Sequence, residues 1–159
     1  MNLSLPKVNL YPDFNTSRLS HVTLNVKDIK KSKYFYTEIL GLQITDESQK
    51  NIYFRCMEER GHHSLILNQS DEMSCNSITF KVFSEKDLES AEYFFKKNGK
   101  NVNWVERPFQ GKTLQTYDNQ GIPIEFYFNM DRLTPIHQNY ELYKGTKPLR
   151  IDHVNCFST

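Results

Sequence analysis

Five histidines are the residues of this sequence best suited to metal chemistry, and two of them, His62 and His63, are adjacent. Two adjacent histidines suggest a metal-binding pair. We expect them on a strand, however, where neighbouring side chains point to opposite faces of the sheet, so the two cannot ligate one ion from one strand. At most one of them is therefore expected to face a cavity. His137 lies near Pro135 in a polar stretch and is expected to be exposed.

The cysteines give no support to a metal or disulfide framework. Cys56, Cys75 and Cys156 are scattered and form no C-x-x-C pair, so we expect reduced thiols in a cytoplasmic protein. P-loop, G-x-G-x-x-G, G-x-S-x-G and H-E-x-x-H motifs do not occur. Nucleotide-binding, hydrolase and zincin functions therefore lack support.

Composition excludes further classes of partner. The 159 residues favour one domain, or one domain with a short appendage. Lys and Arg number 20 against 19 Asp and Glu, and a net charge of +1 makes no electrostatic case for nucleic acid or an acidic membrane surface. The N-terminus lacks the basic start and apolar run of a signal peptide, and no apolar stretch is long enough to span a membrane.

The elements that must position these residues begin with a strand. Residues 19–26 alternate between apolar and polar side chains. Asp28 is a candidate N-cap for a helix that Gly41 ends. The apolar or small face of this helix is formed by Ile29, Ser32, Tyr36, Ile39 and Leu40. Three strand candidates follow at 42–45, 52–57 and 64–68.

The same order then begins again. A strand is predicted at 76–83, and Ser84 with Asp87 resembles an N-terminal capping pair, although Glu or Gln is usual at the second position. The following helix ends at Gly99 and carries Leu88, Ala91 and Phe95 on one face. Strand candidates follow at 102–106, 113–117 and 122–128.

The two stretches form an internal repeat. Five positions of the first helix match five of the second at a constant offset of 59: Ile29, Ser32, Tyr34, Phe35 and Tyr36 fall on Leu88, Ala91, Tyr93, Phe94 and Phe95. One helix covers only one face of its sheet, so a single βαβββ unit cannot close a core. We therefore predict an α+β fold of paired βαβββ modules, related by a pseudo-twofold, that curve into a half-barrel with a concave inner face suited to a ligand.

Domain organisation follows from the repeat. We predict an irregular lead-in at 1–18, a two-module domain at 19–130 (modules 19–70 and 75–130), a linker at 131–147 and the start of a truncated second domain at 148–159. The last segment repeats the opening strand a third time, with His153 on His21. Either it belongs to a longer polypeptide of four modules, which we favour, or it is an edge strand of a small protein.

The third copy of the opening strand also predicts its own placement. Residues 149–157 carry apolar members on both faces, so an unpaired strand there is an aggregation hazard. We expect it to be captured by a sheet edge of its own domain or by another chain. No core position of either module is expected in it.

Several segments resemble extradiol ring-cleaving dioxygenases of the homoprotocatechuate 2,3-dioxygenase and catechol 2,3-dioxygenase type, in the vicinal-oxygen-chelate superfamily. They lie at 32–42, 51–55, 62–67, 118–127, 140–143 and 150–155. The helix followed by Gly-Leu and the Asp-x-x-Gly-x-Pro-x-Glu-Phe element at 118–126 are common to the superfamily. The paired histidines and the Arg-Ile-Asp-His-Val-Asn segment at 150–155 narrow the resemblance to the dioxygenases.

The resemblance implies the N-terminal half of an Fe(II)- or Mn(II)-dependent, cytoplasmic, homo-oligomeric enzyme of aromatic catabolism that cleaves catechols with O2. In that family two His and one Glu of the C-terminal domain hold the metal, which leaves positions for a chelating diol and O2. Carried over to this sequence, only the first ligand is present, at His153. No catalytic or cofactor-binding residue is assigned, and the chain alone is expected neither to bind iron tightly nor to turn over catechol.

The superfamily also places metal ligands on the inner strands of the modules. Those positions hold His21, Ser77 and Glu125, and two ligands are too few for a stable iron or zinc site. We expect no metal there, with His21 half-buried and hydrogen-bonded and Glu125 paired with a cation. Two alternatives remain: a stand-alone metalloenzyme similar to glyoxalases or thiol transferases, completed across a dimer, and a metal-free ligand-binding protein. Ser77 counts against the first, and the third strand counts against both.

Overall fold

The structure is a computed structural model that describes residues 9–155. It contains two consecutive modules of one strand, one helix and three strands. The first module is β1 (Thr16–Val26), α1 (Ile29–Tyr34), a π-helical turn (Phe35–Ile39), β2 (Gln43–Glu47), β3 (Asn51–Arg55) and β4 (Leu65–Gln69). The second is β5 (Ser74–Val82), α2 (Glu85–Lys97), β6 (Asn103–Arg107), β7 (Gly111–Tyr117) and β8 (Pro123–Tyr127). A short 3-10 helix, Tyr140–Leu142, follows.

All eight strands form one sheet in the order β2-β3-β4-β1-β5-β8-β7-β6. The modules meet where β1 pairs antiparallel with β5. Inside each module the first strand pairs parallel with the last, β1 with β4 and β5 with β8. The strand order is therefore the same from the centre outwards in both directions, and the predicted α+β fold of paired modules is confirmed.

Each module has its own hydrophobic core under its helix. The first core consists of Leu42, Ile52, Phe54, Cys56, Leu65 and Leu67. The second consists of Val82, Leu88, Ala91, Leu114 and Phe126. Alternation along the strands sends these side chains to one face of the sheet, which leaves the opposite face for polar groups.

The two helices begin as predicted but differ in length and burial. Asp28 caps α1, because its Oδ1 accepts from the backbone N–H of Lys31 at 2.9 Å. Ser84 and Asp87 form a complete capping box on α2. In α1 and the π-helical turn no side chain is fully buried, and Ile39 is 47% exposed. Its assignment to the apolar face of a regular helix was wrong, because Ile39 lies in the π turn, whose wider winding departs from the 3.6-residue spacing.

The lead-in is shorter than predicted and it contributes to the core. β1 begins at Thr16 because Thr16 and Arg18 pair with Val82 and Lys81 of β5. Phe14 packs its ring edge-on against Phe126 at 5.4 Å, inside the second core. The boundary placed at residue 18 was therefore about three residues late, since pairing across the sheet extends the strand beyond its alternating pattern.

The segment predicted as a linker packs tightly on the first module. The N–H groups of Thr146 and Lys147 donate to the carbonyls of Ile39 and Leu40 at the end of the π turn. A Cβ on Gly41, which has a φ of +83°, would lie 1.9 Å from the carbonyl oxygen of Lys144. This helix end therefore requires glycine both for its backbone conformation and for space.

The predicted strand at 149–157 is absent from its described part, residues 149–155, and 156–157 lie outside the described residues. The segment is held by the loop after β3, where Met57 N and Glu58 N donate to the carbonyls of Pro148 and Leu149 at 3.1 and 3.0 Å. Ile151 packs against the first core. The expectation that this tail contains no core position was therefore wrong.

One class of element is absent from the described part of the chain. None of its helices combines the length and the apolar character needed to cross a membrane.

Candidate functional site

A cavity of about 190 Å³ lies on the inner face of the sheet, between the two modules. Both modules contribute polar side chains, the imidazoles come from the first module and the charged groups from the second. Its most chemically capable lining residues are His21, Tyr53, His63, Ser77, Arg107 and Glu125. The fold therefore brings together the three inner-strand positions singled out from the sequence.

Strand register explains this meeting. His21 on β1 is the cross-strand partner of Thr79 on β5, and Thr79 is the partner of Glu125 on β8. Ser77 lies two residues before Thr79, and the period of two puts both on the same face of the sheet. Because the central strands are those at which the modules join, the site lies on the pseudo-twofold seam.

Glu125 is the most strongly engaged group in the cavity. Its side chain is 2% exposed, and Oε1 accepts from Arg107 Nη2 and, at 3.0 Å, from Gln115 Nε2. Thr79 Oγ1 donates to Oε2 at 3.5 Å. A buried carboxylate needs such partners to offset its lost hydration. The expected pairing of Glu125 with a cation is thus confirmed, and the cation is Arg107.

His21 and His63 face each other as neutral rings. Both are almost completely buried, at 1% and 2% exposure, with ring centroids 4.5 Å apart in an edge-on arrangement. Burial, and then the charge of His63, lowers the pKa of His21 well below its ordinary value. Burial, and then the charge of His62, lowers the pKa of His63 to about 3. His21 was expected to be half-buried, and that was wrong, because the loop before β4 covers it.

The adjacent histidines do not lie on a strand, since β4 begins at Leu65. His63 lines the cavity, whereas His62 stacks on Phe109 with ring centroids 3.7 Å apart. Their Nδ1 atoms lie 3.2 Å from each other. At most one of the pair was expected to face the cavity, and that is confirmed, although the reason is loop geometry rather than strand alternation.

The inner residues do not fit an iron or zinc ion. Ser77 stands where a second imidazole would be needed, and the Glu125 oxygens are occupied by Arg107, Gln115 and Thr79. Among residues 9–155, no three His, Cys, Asp or Glu side chains are grouped so that they could hold a metal ion. A guanidinium cation at the carboxylate also opposes a dication electrostatically.

His153 and His137 lie outside this cavity. His153 is 84% exposed, and its Nδ1 lies 3.0 Å from an Asp152 carboxylate oxygen. His137 is exposed as expected, and its carbonyl accepts a hydrogen bond from the Tyr143 hydroxyl. The role of His153 as a metal ligand stays a prediction.

Sequence reasoning missed the partners of Glu125. Arg107 is the last residue of β6, and Gln115 faces Glu125 across the β7–β8 pair. The contact with Gln115 could have been predicted, because pairing consecutive strands in hairpin register places this residue opposite Glu125. Nothing in the local pattern marks Arg107, whose side chain arrives from an outer strand.

Comparison with known proteins decides the family. Residues 18–126 match the family model described as the Glyoxalase/Bleomycin resistance protein/Dioxygenase superfamily. The chain belongs to this superfamily. The match spans both modules and reaches Glu125, so the cavity described above lies entirely within it.

Relatives in this superfamily fall into two groups. The chain is 27% identical over 154 residues to a manganese-dependent 2,3-dihydroxybiphenyl 1,2-dioxygenase of Geobacillus genomosp. 3, covering 90% of this chain and 49% of that protein. It is 33% identical over 139 residues to the metallothiol transferase FosB of Staphylococcus saprophyticus, covering 85% of this chain and 82% of that protein. The fold also superimposes on homoprotocatechuate 2,3-dioxygenase from Arthrobacter globiformis with a TM-score of 0.86 and 28% identity, covering 91% of this chain and 46% of that one. The chain thus spans about half the length of the dioxygenases it matches.

Proposed function

We propose that this chain is a metal-free two-module domain of an extradiol dioxygenase that cleaves catecholic rings with O2. The observation that carries the proposal is the ion pair between Arg107 and Glu125, with Ser77 at the remaining inner position. A domain that has the superfamily fold but a closed inner carboxylate suits a structural and assembly role. The metal of the whole enzyme, Fe(II) or Mn(II), then lies on other modules.

The chemistry of extradiol cleavage supports the placement of the metal on modules other than these two. A facial set of two His and one carboxylate leaves three positions on the metal, which accommodate a chelating diol and O2. The inner cavity contains His21 and His63, but its carboxylate is already bound to a cation and is therefore not open to a metal. No catalytic residue is assigned to this chain.

His153 is the one ligand that this chain contributes in the proposal. Its ring is 84% exposed and therefore accessible to side chains of further modules. The carbonyls of Pro148 and Leu149 anchor the segment before it to the first module. The anchored tail holds the exposed imidazole at the edge of the domain, where an adjoining metal site can use it. Association of the whole enzyme as a homo-oligomer belongs to the same proposal.

Metal analysis of this chain tests the proposal. We expect far less than one equivalent of iron or manganese after anaerobic reconstitution, and no O2 uptake with 3,4-dihydroxyphenylacetate, the compound bound by homoprotocatechuate 2,3-dioxygenase from Brevibacterium fuscum. Near-stoichiometric metal that Glu125→Gln removes would contradict the proposal. The proposal also requires the coding sequence after residue 159 to specify the remaining two metal ligands, a second His and a Glu at module spacing. Their absence there would refute the proposal.

A second candidate is a metalloenzyme resembling the metallothiol transferases. It is favoured by His63, which lines the same cavity as His21 and Glu125 and whose buried Nε2 makes no hydrogen bond within the described residues. That candidate requires stoichiometric metal that both His63→Ala and Glu125→Gln abolish. The same metal measurement therefore separates the two functions.

A further inference from the structure

A second cavity, of about 420 Å³, opens at the other end of the inner face and is lined by positive charge. Its walls are the beginning of β1, the ends of β5 and β8, and two loops at 58–61 and 129–132. Four cationic side chains border it: Arg18, Arg60, Lys81 and Arg132. The contact between the rings of His21 and Tyr127, with centroids 5.9 Å apart, separates it from the first cavity.

The sheet register forces two of these cations together. Arg18 on β1 and Lys81 on β5 are direct cross-strand partners. Like charges in that position are destabilising unless something offsets them. Lys81 is also the partner of Tyr127 on β8, so it stands in the middle of the three central strands. Its pKa is lowered by burial first, and then by Arg132 and Arg18.

The acidic residues of the cavity do not balance these charges. Glu59 is 5% exposed, and both of its oxygens accept from Arg18 Nη2, at 2.6 and 2.8 Å. That pair accounts for Arg18 alone. Within residues 9–155 no carboxylate lies within ion-pair distance of Arg60, Lys81 or Arg132, and exposed Glu58 pairs with none of them.

The backbone holds the two loops in place around the cavity. Gly61 and Arg132 form an antiparallel bridge. Leu133 N donates to the Arg60 carbonyl at 2.9 Å, and His62 N donates to the Asp131 carbonyl at 2.8 Å. The loops that carry Arg60 and Arg132 are thus tied to each other, and the exposed side chains of both residues border the same cavity.

The floor of the cavity is polar as well. Ser20 Oγ and Tyr127 Oη lie 2.6 Å apart, and both side chains are 3% exposed. Their mutual bond uses one of the two hydroxyl protons. The hydroxyls also have further partners within the protein, because Ser20 Oγ lies 3.2 Å from His21 Nδ1 and Tyr127 Oη lies 4.0 Å from Met130 Sδ.

We propose that this cavity binds a small molecule through an oxyanion group, a phosphate or a carboxylate, held by Lys81, Arg132 and Arg60. Guanidinium groups match the oxygens of such anions in a bidentate manner, and a lysine adds a point charge. The volume exceeds that of the anionic group alone and leaves room for a compact organic body. This site uses none of the residues in the proposed metal chemistry, so a test of one proposal does not decide the other.

Titration with inorganic phosphate tests the site. Amide shifts or calorimetry, at ionic strength held constant with chloride, are expected to give saturable binding with a Kd on the order of 1 mM. Lys81→Met is expected to weaken binding by about tenfold or more, because it removes a charge-assisted contact. Lys30→Met on α1, which removes an exposed lysine outside the cavity, is the matched control and should leave the Kd unchanged.

Thermal unfolding gives a second readout that does not depend on detecting the complex directly. Phosphate should raise the Tm of the wild type and not that of Lys81→Met. In chloride alone Lys81→Met should unfold at a higher temperature than the wild type, because a partly buried charge that Arg132 and Arg18 repel is gone.

Parallel titrations with succinate identify which oxyanion is preferred, since tighter binding of one probe assigns the group. The proposal fails if neither phosphate nor succinate saturates. It also fails if chloride reproduces the shifts, or if Lys81→Met/Arg132→Gln binds phosphate as tightly as the wild type does.

Discussion

The two modules share one fold but finish their helices differently. α2 is a regular helix of 13 residues with a capping box and two buried side chains, Leu88 and Ala91. α1 has six residues, turns into a π helix and has no buried side chain. The difference lies in what packs on the helix end: the 144–147 segment lies on the first module, whereas a Cβ on Gly99 of the second would meet nothing within 4 Å. Contacts from outside a repeat can therefore reshape one copy of it.

The modules also differ in the polar groups they bury in the inner cavity. The first buries imidazoles whose low pKa keeps them neutral, His21 and His63. The second buries a carboxylate that remains paired, Glu125 with Arg107. The two sides of one cavity thus meet the cost of burial in two ways, by neutrality in the first module and by ion pairing in the second.

The largest expected effect is at the glycines that end the two helices. Gly41→Ala should lower the free energy of unfolding by about 4 kcal/mol, because it adds left-handed strain to a clash with the Lys144 carbonyl. Gly99→Ala has the same kind of strain, at a φ of +71°, but open space, and should lose about 1 kcal/mol. Urea unfolding of both variants measures the difference. Equal losses would mean that the 144–147 segment does not pack on the first module.

The next effect concerns the ion pair of the second module. Arg107→Leu leaves the buried Glu125 carboxylate without its cation and should cost about 3 kcal/mol in urea unfolding. Adding Glu125→Gln in the same chain should recover most of the loss. Arg150→Leu is the matched control, since Arg150 is 64% exposed and should change stability by less than about 0.5 kcal/mol. If the two arginine variants lost equally, the pair would have no special role.

Acid should destabilise the protein through the first module. His63 has a pKa of about 3 in the folded state against an ordinary value of 6.5. Below pH 6.5 this residue is therefore protonated in the unfolded chain but stays neutral in the folded chain. Stability is then complete above about pH 6.5 and falls as the pH drops towards 3, by roughly 2 kcal/mol for this residue between pH 7 and 5. His21 acts in the same direction.

Urea unfolding at pH 7 and pH 5 checks this dependence. His63→Leu should reduce it without abolishing it, because the leucine takes up no proton while His21 still contributes. His137→Leu, at an exposed histidine, should leave the dependence as it is in the wild type. A flat profile in the wild type would show that His63 is protonated in the folded protein.

The smallest effect compares the helix caps. Asp87 accepts from the Ser84 backbone and hydroxyl and from Asn15, so Asp87→Ala should cost about 1.5 kcal/mol. The Asp28 side chain accepts only from Lys31 N among the described residues, and Asp28→Ala should cost about 0.5 kcal/mol. Thermal unfolding resolves this difference, and the reverse order would contradict the assignment of the second helix as the better anchored one.

Much of the fold was predictable because its signals are local. Neighbours in sequence determine the N-caps at Asp28 and Ser84, the glycines that end the helices and the alternating strands. The internal repeat then predicts that two modules pair. The π turn after α1 was not predictable in this way, because residues 29–41 contain no sequence signal for a π turn. The 39–41 end of that helix packs against chain that follows more than a hundred residues later.

The candidate site divides in the same manner. The resemblance of the sequence to the superfamily placed His21, Ser77 and Glu125 on the inner strands, and strand periodicity fixes which face each residue takes. Only the tertiary structure decided that Arg107 reaches Glu125, that a loop histidine covers His21 and that Arg18 stands opposite Lys81. Those contacts join strands and loops through the register and curvature of the whole sheet, and a linear pattern contains neither.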